Sequence, residues 1–357
     1  MVNCEVETLF HLPSSVHLAD YQRMGSYSYS SASVGVRNRI REALQLVRIA
    51  RRPPESAVDW TIGLYENTKE RIREQTGVTL SGLRGLEIGP GQQLGSLRCF
   101  SLENDMVAID TDVIAAEASP LTYVRMVRHN SFLRTAKTIA RKALGVDRRF
   151  RKTLLRRLGA PAFPTTPVLR MSATEMTFPQ ESFDFVYSHS VFEHIDDPAA
   201  ALAEIERVLR PGGVAYVSVH LYTSHAGSHD PKLLADGIPV PPLWPHLRPA
   251  FAHTVHPNTY LNRLTLAEWR DLFEAAFPGV TYVADRQDEE LGDALRELRA
   301  AGELTEYTDE ELLTVNLIAI WRKPDGAEET APRESGISMP RPSAEPDVGP
   351  QRRRASA

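Results

Sequence analysis

The spacing of apolar positions changes repeatedly along this chain, and each change marks an element. Val36, Ile40, Leu44 and Val47 recur at helical spacing with arginines on the other face, predicting a helix that Pro53-Pro54 ends. Ser56 reads as the N-cap of a second helix reaching about Gln75. Short β-rich runs follow at 83–88, 106–110, 168–171, 183–188 and 214–220, then at 280–283 and 313–321. Helical periods lie between them. Pro198 to Arg210 is amphipathic, opened by its proline and stopped by Pro211-Gly212-Gly213, and Thr265 to Phe277 has a cap at its start. Strands alternating with helices predict an α/β fold with a doubly wound, mostly parallel sheet.

Two connections are longer than such a fold requires. Residues 113–165 insert a basic, helix-like segment between the second and third strands, and residues 221–264 form a His- and Pro-rich cover after the fifth. The expected organisation is therefore an N-terminal arm with helices over 1–78, an α/β domain over 79–323 and a tail over 324–357. The tail is rich in Pro, Glu, Ser and Arg and predicts disorder.

At 357 residues, 42% hydrophobic and 24% charged, the composition is that of a soluble globular protein. Cys4 and Cys99 exclude a disulfide framework and lack zinc-ligand spacing. The N-terminus does not read as a secretory signal, and the apolar run from Leu312 to Trp321 is too short to span a bilayer. A cytoplasmic enzyme is the expectation.

The candidate chemistry sits at strand ends. Leu86-Glu87-Ile88-Gly89-Pro90-Gly91 is a buried strand that delivers an acid and then breaks into a glycine turn. Asp110 ends the second strand, 23 residues after Glu87, where a carboxylate can accept from both hydroxyls of a ribose. Ser172-Ala173-Thr174 follows the third strand and can frame an adenine; Ser188-His189 ends the fourth; Leu209-Arg210-Pro211-Gly212-Gly213 precedes the fifth. In this order and spacing, residues 80–220 resemble the class I S-adenosylmethionine-dependent methyltransferases, in particular those acting on quinones and other small molecules.

The resemblance implies a Rossmann-like, seven-stranded sheet with an antiparallel last strand, here with N-terminal helices and helical insertions added. It implies S-adenosyl-L-methionine as cofactor, with Glu87 near the methionine amino group and Gly89 and Gly91 passing beneath. Asp110 would hold the ribose, Ser172, Ala173 and Thr174 would lie beside adenine, and Ser188 and His189 would stand where cofactor meets acceptor. Two positions depart from the family: Gln93 replaces a third glycine, with Gly95 as the candidate to compensate, and Ser172 replaces an acid. Two alternatives stand beside this reading. One is a methyltransferase-fold binding module without turnover; the other is an NAD(P)-dependent oxidoreductase, which also needs a glycine turn and a ribose acid.

The acceptor side is written in histidines. Eight of eleven lie between 189 and 256. A neutral imidazole suits removal of a hydroxyl proton, and His189 or His225 is the candidate base. Without a third well-spaced partner for His225 and His229, no metal is assigned. Ser188-His189-Ser190-Val191 is unlike the Asn/Asp-Pro-Pro-Tyr motifs of many nucleic-acid methyltransferases, and aromatics are not interleaved with the basic residues. The expected acceptor is a small molecule or glycan, methylated at a hydroxyl by in-line displacement.

The net charge of −5 conceals two basic segments. Residues 37–52 carry six arginines against Glu42, and 125–157 carry twelve Lys and Arg against Asp147. They suit an anionic or lipid-linked acceptor, or peripheral contact with an anionic membrane.

Overall fold

The computed structural model describes residues 53–115, 119–130, 132–230, 234–235, 238–239, 242–257, 259–286 and 288–325. The 36–47 helix and nearly all of the 324–357 tail expected from the sequence lie outside them. Seven strands form one sheet: β1 Arg84–Ile88, β2 Asp105–Asp110, β3 Val168–Arg170, β4 Phe183–His189, β5 Leu209–His220, β6 Thr281–Arg286 and β7 Thr314–Arg322. Their order is β3-β2-β1-β4-β5-β7-β6. Strands β1 to β5 pair in parallel, and β7 runs antiparallel between β5 and β6. This is the Rossmann-like arrangement with a reversed last strand.

Strand alternation sends side chains to two cores. Leu86, Ile88, Val186, Val217 and Leu317 face α6 (Pro198–Val208) and α7 (Leu266–Ala276). Phe185, Tyr187, Tyr216 and Ile318 face α1 (Glu55–Thr76), α2 (Gly95–Ser101) and α5 (Val146–Leu158). Buried on both sides, these strands read in sequence as nearly continuous apolar runs.

Local details follow from the caps. Helix α7 starts at a capping box in which Thr265 and Glu268 satisfy each other's backbone N–H groups. Asp197 caps α6 by accepting from Ala200 N–H. Helix α1, by contrast, begins at Glu55 behind Pro54 without a side-chain cap, so Ser56 lies inside it. The Pro211-Gly212-Gly213 stretch is not a free turn either. It continues β5 through a register shift against β4, between Phe183 and Phe185.

The insertion after β2 contains α3 (Pro120–His129), α4 (Phe132–Ala143) and α5. Asn130 ties it back to β2 by accepting from Val113 N–H and donating to Val113 C=O. Helices α8 (Asp288–Ala300) and α9 (Asp309–Leu313), not foreseen from the sequence, build a small third core with Trp244 of the cover segment.

Candidate active site

Glu87, Asp110 and His189 end up on one face at the carboxyl end of the sheet. They share parity with Met106, Phe185 and Tyr187, so all three point toward the α1 side. Glu87 is 3% exposed, and its Oε2 has no hydrogen-bond partner. Burial pushes its carboxyl up to about 8. Such a group is held ready for a cation, since pairing would return the lost solvation.

The turn after it is shaped for close approach. Gly89 has φ +71°, and a Cβ there would lie 2.4 Å from Val191 Cγ2. Gly91 is also left-handed, with open space above it. The expected compensation for Gln93 works differently. Gln93 does not have positive φ; Leu94 takes the left-handed position, at φ 55°. Gln93 C=O accepts from Arg98 Nη1 at 2.8 Å, and Gly95 lets α2 approach Thr61 of α1. The turn thus follows its own path without needing a third glycine at 93.

Asp110 Oδ1 accepts from Asp112 N–H at 2.8 Å, and burial raises its carboxyl to about 6. Arg134 pairs with Asp112 at 2.6 Å, so the inserted helices help to hold this strand end. In the next loop Ser172 and Thr174 hydroxyls lie 2.8 Å apart, and Thr174 N–H donates to Ser172 Oγ. Ser172 therefore shapes its own turn, beside a buried Ala173.

His189 stacks obliquely on Trp60 of α1, with ring centroids 6.0 Å apart, and burial lowers its imidazole to about 4. It is neutral at ordinary pH. The structure thus brings an orphaned acid above a left-handed turn, a second acid at the end of β2 and a neutral imidazole to one face at the carboxyl end of the sheet.

A methyltransferase-domain family model matches residues 130–217, from the insertion through β5. A methyltransferase of Schizosaccharomyces pombe is 48% identical over 42 residues, 12% of this chain and 15% of its own length. A probable S-adenosylmethionine-dependent methyltransferase of Mycolicibacterium smegmatis is 34% identical over 80 residues, 22% of this chain and 30% of its own. The matches thus span less than a third of these curated relatives. Among solved structures, phosphoethanolamine N-methyltransferase 2 of Haemonchus contortus is similar at 17% identity and a TM-score of 0.39, covering 72% of this chain and 52% of that one. The strand order, with β7 reversed between β5 and β6, completes the case and removes the dinucleotide-dehydrogenase alternative, whose order is 3-2-1-4-5-6. The chain carries a class I S-adenosylmethionine-dependent methyltransferase domain.

In this methyltransferase domain not every expected residue converges. Ser188 points to the opposite face from His189; fully buried, its hydroxyl donates to Ile88 C=O at 3.2 Å and ties β4 to β1. His225 lies in the cover segment against Trp244, its imidazole lowered to about 4 by burial and then by His246. His229 packs edge-on to both His194 and His220, at 5.0 Å each. Among the described residues, no group of three or more His, Cys, Asp or Glu is arranged to hold a metal ion.

The structure also adds residues that sequence reasoning missed. Ser218 on β5 and Asn316 on β7 share the α1-side face with His189, which pairs with Ser218 in register. Both are buried, and Ser218 Oγ and Asn316 Oδ1 have no hydrogen-bond partner. Their signal was a single polar residue breaking an apolar strand at an inward position. Glu193, 2% exposed, is pushed up to about 8 by burial, against the lowering pull of the backbone of Glu193 and His220.

Proposed function

We propose that this protein is an S-adenosylmethionine-dependent methyltransferase that methylates a hydroxyl of a small-molecule or glycan-type acceptor. The observation that carries the proposal is Glu87: a fully buried carboxyl with an orphaned oxygen over a left-handed glycine turn, in line with Asp110. Burying an acid without a partner is costly, so a ligand cation is the economical explanation.

Glu87 would accept from the ammonium of the cofactor's methionine part, and Asp110 from the ribose hydroxyls. Gly89 leaves the backbone bare where the cofactor passes, and Ala173 and Thr174 would border the adenine. The cofactor supplies a methyl group on a sulfonium, open to in-line displacement by a nucleophile. The chain's work is then alignment, exclusion of water and removal of one proton.

His189 is the preferred base. It is neutral above about pH 4, shares the face of Glu87 and Asp110, and stands at the end of β4. His225 is the second candidate, reached from the cover segment. Ser218 and Asn316, orphaned polar groups on the same face, would orient an acceptor hydroxyl. The test is titration calorimetry with S-adenosylmethionine, followed by mass spectrometry of extracts incubated with the protein and methyl-labelled cofactor. A labelled small molecule or glycan is expected. Failure to bind the cofactor at millimolar concentration would overturn the proposal; binding without label transfer would leave a binding module instead.

A further inference from the structure

Helix α4 is mounted inside out. Of its apolar residues, Phe132, Ala136, Ile139 and Ala143 fall at i, i+4, i+7 and i+11, one stripe, and these four are exposed, Phe132 at 71% and Ile139 at 44%. The residues it turns inward are polar: Thr135, Thr138 and Arg141 are buried, and Arg141 pairs with Asp147 at 2.8 Å. Helix α3 repeats the theme, with Leu121 at 70% and Val124 at 65% exposure. On the same side of α3 stand the exposed Arg125 and Arg128. A contiguous apolar face on two adjacent helices is not how a protein meets water.

The charge around the face says what covers it. Asp147 is the one acid in 125–157, and it is already engaged by Arg141 and Lys142. Arg148, Arg151 and Lys152 are exposed on α5, which packs beside α4. The chain's own apolar segment at 36–47 is a poor occupant, because 37–52 is itself strongly basic. A second copy would bring the same positive charge against this one. An apolar stripe with flanking arginines instead complements a bilayer carrying anionic headgroups, where the rings and aliphatic groups enter the acyl boundary and the cations stay at the phosphates. Among the described residues no helix is long and apolar enough to cross a membrane, so the contact is peripheral.

We propose that the exposed face of α3 and α4 seats this protein on an anionic lipid surface. The same insertion is tied to the candidate site by Arg134 on Asp112 and by Arg141 Nη2, 3.5 Å from Gln92 C=O, so the seat adjoins the glycine turn. The inference does not rest on the methyltransferase reading.

Co-sedimentation of the full chain with vesicles tests it. Vesicles of phosphatidylcholine with about a third phosphatidylglycerol should capture the protein, pure phosphatidylcholine should capture little, and added salt should release it. The double variant Phe132→Asp, Ile139→Asp, and separately Arg125→Glu with Arg128→Glu, should each lower the bound fraction's partition coefficient roughly tenfold or more. Melting should stay unchanged, because these side chains point outward. The proposal is overturned by absence of capture on anionic vesicles at low salt, or by capture that both variants leave intact. It is equally overturned if light scattering shows a dimer that Phe132→Asp dissociates, without vesicle binding.

Discussion

Glu87→Gln exchanges a buried carboxyl for a neutral side chain of nearly the same shape, and stability and cofactor affinity should move in opposite directions. In the folded protein the carboxyl holds its proton up to about pH 8, against an ordinary value of 4.5. The unfolded chain releases that proton near 4.5, so wild-type Glu87 disfavours folding increasingly as pH rises from there to about 8, and constantly above. At pH 7 the penalty spans ~2.5 pH units at about 1.4 kcal/mol each, roughly 3 kcal/mol. Glutamine removes it. For a domain of this size that is a rise in melting temperature of about 6–12 °C, vanishing toward pH 4.5. The same substitution removes the anion proposed to pair with the cofactor's ammonium, a charge-assisted bond worth about 1.5–3 kcal/mol, or roughly a 10- to 100-fold weaker Kd. Wild-type affinity should also fall as pH drops below about 8, because ligand binding must expel the proton, whereas the variant's affinity stays flat. Differential scanning calorimetry and titration calorimetry across roughly pH 4–9, bracketing both values, read both effects. A variant that melts lower than wild type, or that matches the wild-type cofactor affinity at every pH, would refute the reasoning.

Four further substitutions test the rest of the site. Asp110→Ala should weaken cofactor binding about tenfold by calorimetry, since it removes the ribose acceptor; unchanged affinity would place the ribose elsewhere. His189→Ala should lower kcat by about 10²-fold or more with cofactor Kd unaltered, and His225→Ala should do less; the reverse ranking would move the base to the cover segment. Asn316→Leu should raise stability by about 1–3 kcal/mol in a denaturant melt, because Oδ1 is buried without a partner, while raising the acceptor KM. A loss of stability would mean that the amide serves the fold.

The sheet was legible because parallel strands covered on both faces must be apolar almost throughout, and because a polar residue at such a strand's end stands out. Glu87 and Asp110 were visible for that reason. Capping chemistry was legible at Thr265, where both partners of the box are local, and misleading at Ser56, where packing of α1 carries the helix one residue past the serine without a cap. Helices α8 and α9 were missed because their apolar positions are spent on Trp244 and its neighbours, a partner 44 to 69 residues earlier in sequence.

What the sequence determined by itself is the succession of the seven strands and the acids at the ends of β1 and β2, since both depend on period and on neighbours a few residues apart. The tertiary structure decided which of those side chains meet. Alternation along β4 sends His189 toward Glu87 and Ser188 away from it, and the reversed β7 brings Asn316 to the same face as Ser218, 98 residues earlier in the chain. It also decided that α4 turns its apolar stripe outward. A helical period shows only that a helix has two faces; which one the protein buries depends on what lies beneath, and there the inserted helices meet Asp147, Asp112 and the glycine turn.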